Sequence, residues 1–406
     1  MANIADISRL EPGNTGSLPL LPKKQGSIIA LALLGLLAVS WLAVEHGTIN
    51  RGGATLIGGF AGFALYHASF GFTAAWRRII AERRGNGLRA QMILVALTCS
   101  ISFLLIDYGK SITLPWFGGE DWTLTTYAWV SPWGVGSAFG AFIFGFGMMF
   151  GGGCASGTLF TSGGGSSRMM ITLFFFIMGS VIATHHIDFW RDLPHFEGFS
   201  FVQTFGAPTA IFLFLAVLGS IYAASIWLER RTWGDLEDFG KTESLLTGKW
   251  SKLMGALALV IVSVGTLLVL HRPWGITSGF ALWGAKIFYA VGIPVQDWPA
   301  WNANTLERSV FSDATSVMNF GIIFGAMMAA GLAGKWKPVL KISPKDLATA
   351  IFGGLLMGYG ARLAYGCNIG AYLGGLVSGS MHGWWWLLFG FMGSVLGTRT
   401  KMRFNL

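Results

Sequence analysis

Gly145-Phe146-Gly147-Met148-Met149-Phe150-Gly151-Gly152-Gly153-Cys154-Ala155-Ser156-Gly157 lines up, without a gap, with Gly358-Tyr359-Gly360-Ala361-Arg362-Leu363-Ala364-Tyr365-Gly366-Cys367-Asn368-Ile369-Gly370. The cysteines coincide, and glycines 145, 147, 153 and 157 fall on glycines 358, 360, 366 and 370. The two stretches form an internal repeat that places a thiol among glycines at the end of an apolar run.

The surrounding composition says what those runs are. The chain is 53% hydrophobic with only 12% charged residues, and its apolar runs of about 16 to 22 residues match the helical length that crosses roughly 30 Å of hydrocarbon. The reading is an all-α polytopic membrane protein. Its candidate spans are 27–45, 54–75, 90–107, 134–150, 169–184, 207–228, 253–270, 315–333, 346–364 and 384–398, with a shorter apolar piece at 276–292. The first run lacks a convincing cleavage site after it and reads as a retained helix. The net charge of +9 sits in short loops between spans, which a positive-inside bias explains without nucleic acid. Three cysteines with no CxxC pair support neither a disulfide framework nor a structural zinc site. Nothing in the sequence calls for a cofactor.

Basic residues set the expected orientation. Arg77, Arg78, Arg83, Arg84 and Arg89, then Arg230 to Lys252, Lys335 to Lys345 and Arg399 to Arg403, with Arg9, Lys23, Lys24 and Arg168, put 21 on one side. Arg51, Lys110, Arg191, Arg272, Lys286 and Arg308 put six on the other. The first side is expected to be cytoplasmic, with both termini on it. The acidic loops holding Asp107, Glu120 and Asp121, and Asp188, Asp192 and Glu197, then fall outside. Threading works only if 276–292 dips in and returns. Span 134–150 then runs inward to Cys154 and span 346–364 outward to Cys367, so the halves form an inverted-topology repeat, an arrangement that places a substrate path at the repeat interface. The expected organisation is a tail at 1–26, a first membrane half at 27–228, a linker at 229–252, a second half at 253–398 and a tail at 399–406. Gly234 to Thr242 imitates a phosphate loop, but the glycine spacing is wrong and no strand precedes it.

Ala155 to Ser167 and Asn368 to Gly383 are too short and glycine-rich to span, and read as re-entrant segments. Such backbone is tolerated at membrane depth only against protein or a cavity. Gly140, Gly353 and Gly354 read as close helix packing; Gly152, Gly153 and Gly366 crowd the cysteines and read as backbone opened to a substrate. A thiol in apolar surroundings keeps its proton and offers a weak donor and a soft contact. That suits a sulfur-containing anion, and helix N-termini after each cysteine would add amide donors. Cys99, inside an ordinary span, reads as a small core hydrophobe. Arg362 is the one basic residue inside a span, where insertion costs roughly 2.5–3.5 kcal/mol; it reads equally as an anion attractor or as a structural clamp. His185, His186 and His382 read as boundary residues, and Trp384, Trp385 and Trp386 as an interfacial aromatic belt.

The cysteine motifs, with Gly353-Gly354 ahead of the second, resemble the paired signatures of the YeeE/YedE family of membrane sulfur-compound transporters. Gly275-Ile276-Thr277-Ser278-Gly279 is similar to that family's glycine-rich re-entrant piece. The likeness extends from about residue 50 to the C-terminus, leaving 1–26 and 229–252 unaccounted for. It implies an hourglass-like inner-membrane protein taking up thiosulfate or a related small sulfur anion along a path of Cys154, Cys367, Gly152, Gly153, Gly366, Asn368 and Arg362. It also implies a cytoplasmic sulfur-carrier protein as partner, and some relatives are linked to selenium. One departure is plain: the family's early Cys-Phe-x-x-Ala pattern falls on Gly71-Phe72-Thr73-Ala74-Ala75, where no thiol stands. The other readings of the residues are a membrane thiol enzyme and a channel for a small neutral molecule. An enzyme would need an accessible low-pKa thiol with a base or resolving partner; neither motif carries one, and the chain is read as a non-enzyme.

Overall fold

Apolar runs without water must satisfy their backbone internally, and the chain does so as helices. A computed structural model describes residues 24–115, 121–338 and 341–404. Positions 1–23 of the expected tail, with Arg9 and Lys23, lie outside the described residues, as do Glu120 and positions 405–406. The first part of the chain forms α1 Gly26–Glu45, α2 Ile49–Ala68, α3 Phe72–Ala81, α4 Asn86–Tyr108, α5 Val135–Gly151, α6 Ala155–Gly163 and α7 Ser167–His185. The short α8 Ile187–Arg191 and α9 Phe201–Phe205 lead into the long α10 Ala207–Trp233. After the linker come α11 Lys252–Leu270, α12 Thr277–Ala290, α13 Ala303–Glu307, α14 Ala314–Leu332 and α15 Pro344–Leu363. A π-helical turn at Asn368–Leu373, α16 Gly374–Val377 and α17 Met381–Arg403 complete the chain. Two small antiparallel pairs, Thr113–Pro115 with Asp121–Thr123 and Trp133–Gly134 with His195–Phe196, sit in the loops.

Eight helical segments among the described residues are long and apolar enough to cross a membrane. α2 and α17 are as long, at 20 and 23 residues, but are diluted by glycine and polar residues. One expected span changes: 54–75 is not a single helix. α2 ends at Ala68, Ser69 turns left-handed at φ 44° and α3 starts at Phe72. The Lys252 ammonium donates to the carbonyls of Ala68 and Ser69, satisfying groups that a continuing helix would have used. At the linker, α10 runs on to Trp233 until Gly234, at φ 78°, stops it. α17 likewise continues to Arg403, beyond the expected boundary at 398.

Helix partners fall into matching sets. α2 packs along α14 and α4 along α11; α5 packs along α17 and α15 along α7; α5 and α15 lie against each other. Lipid supplies no hydrophobic drive between helices, so contact depends on small residues that let backbones close up. A Cβ on Gly325 would stand 1.9 Å from the Gly59 carbonyl, and one on Gly145 would stand 2.0 Å from that of Gly390. Gly140, Gly353 and Gly354 are also helix contacts, as their spacing suggested.

The ends nearest the linker are tied by a buried carboxylate. Glu229, fully buried on α10, accepts from Arg89 at 2.6 Å, Arg84 at 3.1 Å, the Gly85 amide at 3.0 Å and the Glu237 amide at 2.9 Å. Removing one member of such a group leaves an uncompensated buried charge, worth about 3–5 kcal/mol. Glu229→Ala should therefore cost about 3–5 kcal/mol, whereas Asp235→Ala, breaking only the exposed partner of Arg84, should cost less than about 1 kcal/mol. Tryptophan-fluorescence unfolding of the detergent-solubilised protein checks this, and equal midpoints for the two variants would refute it.

Candidate functional site

Each cysteine sits where a helix is made to stop. α5 closes at Gly152, whose φ of 84° suits glycine and whose amide returns to the Met148 carbonyl. Two residues on, Cys154 occupies the N-cap position of α6, and its carbonyl receives the Thr158 amide at 2.7 Å and hydroxyl at 2.9 Å. Its sulfur lies 3.3 Å from the Ser156 hydroxyl. The thiol is held at a helix beginning and is 1% exposed.

Cys154, Gly152, Gly153 and Gly157 line a cavity of about 520 Å³, with Tyr66, His67, Thr73 and Thr161 in its wall. Thr247, Gly248, Lys249 and Lys335 complete it, and no carboxylate is among its described lining residues. The cavity thus sets two lysines, Lys249 and Lys335, in one lining with the Cys154 thiol. The linker contributes directly: the His67 Nδ1–H donates to the Gly248 carbonyl at 2.8 Å, Trp250 stacks on His67 at 5.7 Å and the Trp250 amide donates to the His67 carbonyl at 3.0 Å.

The second motif is built differently. α15 ends at Leu363; Tyr365 adopts φ 60° and Gly366 φ 152° before Cys367. The Cys367 carbonyl then takes amides from both Ala371, at 2.8 Å, and Tyr372, at 3.2 Å, opening the helix by one residue into a π turn. Such turns recur at functional sites. Cys367 is wholly buried, and the amides of Ile369 and Gly370 face its sulfur. In the same turn both amide atoms of Asn368 and the Tyr372 hydroxyl are buried without a hydrogen-bond partner, the hydroxyl within electrostatic reach of Cys99. Leaving a buried polar group unpaired costs about 1–3 kcal/mol, so three such atoms in one turn call for a ligand or an exchangeable partner.

The two motifs meet in the centre. α6 touches the π turn, and the Cys154 and Cys367 thiols lie within electrostatic reach of each other. Arg362 is not beside them. It faces a separate cleft toward the other end of α5, with Arg191, His195 and Tyr365. The structure therefore groups Gly152 and Gly153 with Cys154, groups Gly366 and Asn368 with Cys367, and sets Arg362 apart. Cys99 is buried in the core. The aromatic-belt reading fails for Trp386: it is 1% exposed, donates to the Gly366 carbonyl at 3.1 Å and stacks on Tyr372. Tyr372, Trp386 and His67 are the site residues that sequence reasoning missed. Tyr372 stood five residues after Cys367 in a segment too short and glycine-rich to span, the one signal that pointed to it.

A family described as sulphur transport matches residues 67–396. The chain is 29% identical over 150 residues to "Probable transporter YedE" of Escherichia coli, the match spanning 37% of each chain. It is similar to "Thiosulfate transporter TsuA" of Escherichia coli at 26% identity, covering 83% of this chain and 91% of that one. The corresponding protein of Spirochaeta thermophila is 24% identical, covering 84% and 95%.

Cavity lining by Cys154, against complete burial of Cys367, predicts an order of alkylation. With N-ethylmaleimide and peptide mass spectrometry, Cys154 should be labelled at least about tenfold faster than Cys367, which requires local opening to be reached. Equal rates would mean that the cavity does not govern access to the thiols.

Proposed function

The chain belongs to the YeeE/YedE-like sulphur-transport family, and from that premise we propose that it takes up a small sulfur-containing anion, thiosulfate, across a bacterial inner membrane through Cys154 and Cys367. The observation that carries the reading is the central constellation itself: two buried thiols in mutual reach, with the unpartnered amide of Asn368 next to the second in sequence. A neutral thiol can donate to the terminal sulfur of thiosulfate without repelling it, and the Asn368 amide can donate to its oxygens. Each contact is individually weak, which favours passage over capture.

The proposed architecture is an hourglass-like inverted repeat. Its support is the exchange of helix partners: α2 with α14 answers α11 with α4, and α5 with α17 answers α15 with α7, as an in-plane two-fold axis requires. In this scheme α6 and the π turn with α16 are the paired re-entrant segments. The linker side, rich in lysine and arginine, is the cytoplasmic one. The 520 Å³ cavity then opens toward the cytoplasm and reaches as far as Cys154, while Cys367 is sealed. TsuA, named as a thiosulfate transporter, supports the choice of substrate.

Uptake of sulfur-labelled thiosulfate into proteoliposomes tests the reading. Losing a donor to a charged ligand costs about 1.5–3 kcal/mol, so Cys154→Ala, Cys367→Ala and Asn368→Ala should each lower uptake efficiency about 10- to 100-fold. Unchanged uptake in both cysteine variants would remove the thiols from the path and favour a channel they merely fill.

A further inference from the structure

The end of α17 carries a pocket that neither thiol motif uses. α17 runs to Arg403, past the expected end of its span, and packs against α3. An open pocket of about 240 Å³ lies between them, lined by Arg77 of α3, by Thr398, Lys401 and Met402 of α17, and by Met149 near the end of α5. A water's share of the liquid is about 30 Å³, so the pocket admits a group several times that size. Its charge is one-sided. Lys401 donates to the Met149 carbonyl at 3.2 Å, and an ammonium has two donors more. Arg77 is exposed and enters no ion pair among the described residues. Arg168 and Lys345 add positive charge within electrostatic reach of Lys401, while the acid in that reach, Asp346, is paired with Arg168 at 3.3 Å. Glu82, the carboxylate in the lining, is held by Arg78 at 3.0 Å. Thr398 is 3% exposed, and its hydroxyl is buried without a hydrogen-bond partner, a costly state unless a ligand completes it.

The face of α17 leading to the pocket is apolar and partly exposed. Leu388, Phe391 and Val395 precede Thr398 and Met402 at intervals of three, four, three and four residues, the spacing of one helix face. Leu388 is 53% exposed and Met402 58%, with Phe391 and Val395 half-buried. From Leu388 to Thr398 the helix rises about 15 Å, half of a hydrocarbon core of roughly 30 Å. A stripe of that length matches the acyl chain of one leaflet, and it ends at a cationic pocket.

We propose that this pocket binds the phosphate of an anionic phospholipid in the leaflet on the linker side, with an acyl chain lying along Leu388, Phe391 and Val395. The leaflet follows from Arg78, next to Arg77, which pairs with Glu237 of the linker at 3.1 Å. Arg77 and Lys401 neutralise the phosphate, and the Thr398 hydroxyl donates to one of its oxygens. Basic side chains at a membrane surface attract anionic headgroups. The pocket selects among lipids, because a choline headgroup would bring its own cation against Arg77 and Lys401. The stripe selects a lipid over free phosphate, which gains nothing from apolar surface. The site shares no lining residue with the cavity at Cys154, and it does not rest on the transport reading.

Native mass spectrometry of the detergent-solubilised full-length protein, titrated with single lipids, reads the site without transport. The first phosphatidylglycerol should bind at least about fivefold more tightly than phosphatidylcholine with the same chains. Arg77→Gln should weaken that binding about fivefold, the share of one basic side chain beside an anionic headgroup. Thr398→Val removes the hydroxyl without touching charge; it should weaken binding about threefold and leave the unfolding midpoint in place. Arg403→Gln makes the same charge change on an exposed residue outside the pocket lining, and should weaken binding less than about twofold. Equal binding of the two lipids overturns the proposal. So does equal weakening by Arg77→Gln and Arg403→Gln, which would mean diffuse surface charge, or unchanged binding in both Arg77→Gln and Thr398→Val. Inorganic phosphate that displaces phosphatidylglycerol at equal concentration overturns the choice of a lipid. Selective lipid binding in a protein that moves no thiosulfate leaves this site standing and the transport reading fallen, and thiosulfate uptake without lipid selectivity does the reverse.

Discussion

Backbone hydrogen bonding at membrane depth is the constraint on which this structure depends. A helix that stops inside a bilayer exposes amides and carbonyls that lipid cannot satisfy, and in the proposed re-entrant scheme two such stops, at Gly152 and before Cys367, lie next to the thiols. They are affordable because the neighbouring helices approach closely enough for protein to replace lipid around them. The contacts of Gly325 with the Gly59 carbonyl and of Gly145 with that of Gly390 achieve this approach. Arg168 then takes the carbonyls of Phe150 and Gly151 at the end of α5, and Trp386 takes that of Gly366. Glycine thus serves two ends: contact between whole helices, and termination of the broken ones.

The two motifs diverge within this shared frame. Cys154 begins an ordinary α-helix, its carbonyl fully used by Thr158, with a hydroxyl partner for its thiol and a cavity beside it. Cys367 begins a π turn and has unsatisfied polar atoms around it instead. The repeat supplies two buried thiols, but one lines a cavity and the other is enclosed by protein. On the proposed path, an anion passing between them would exchange cavity surroundings for enclosed protein donors.

Much of this was legible in the sequence. Apolar length marked the helices, and the glycine–cysteine repeat pointed to the two chain breaks, because both signals are local. The end of α2 was not legible, since Ser69 and Phe70 carry no breaker and the carbonyls there are taken by Lys252, far along the chain. Trp386 looked like part of a boundary triplet, and only helix rotation, set by the contact of α17 with α5, turns it inward. Arg362 was visible as an oddity, but its separation from Cys367 comes from Tyr365 and Gly366, whose positive φ angles reverse the chain. Residues that close a site through long-range contacts leave little trace in sequence spacing.

The connection from Gly234 to Ser251 is more than a join between two halves. It is pinned at one end by Glu229, which holds the Glu237 amide, and at the other by the contacts of Gly248 and Trp250 with His67. Between these pins it is braced by the Glu243–Lys249 and Phe239–Lys252 backbone bonds. A braced strap of this kind works as a mechanical leash. Were the two proposed halves to rock so that α2 parted from this strap beside the Cys154 cavity, the movement would cost the contacts of Gly248 and Trp250 with His67.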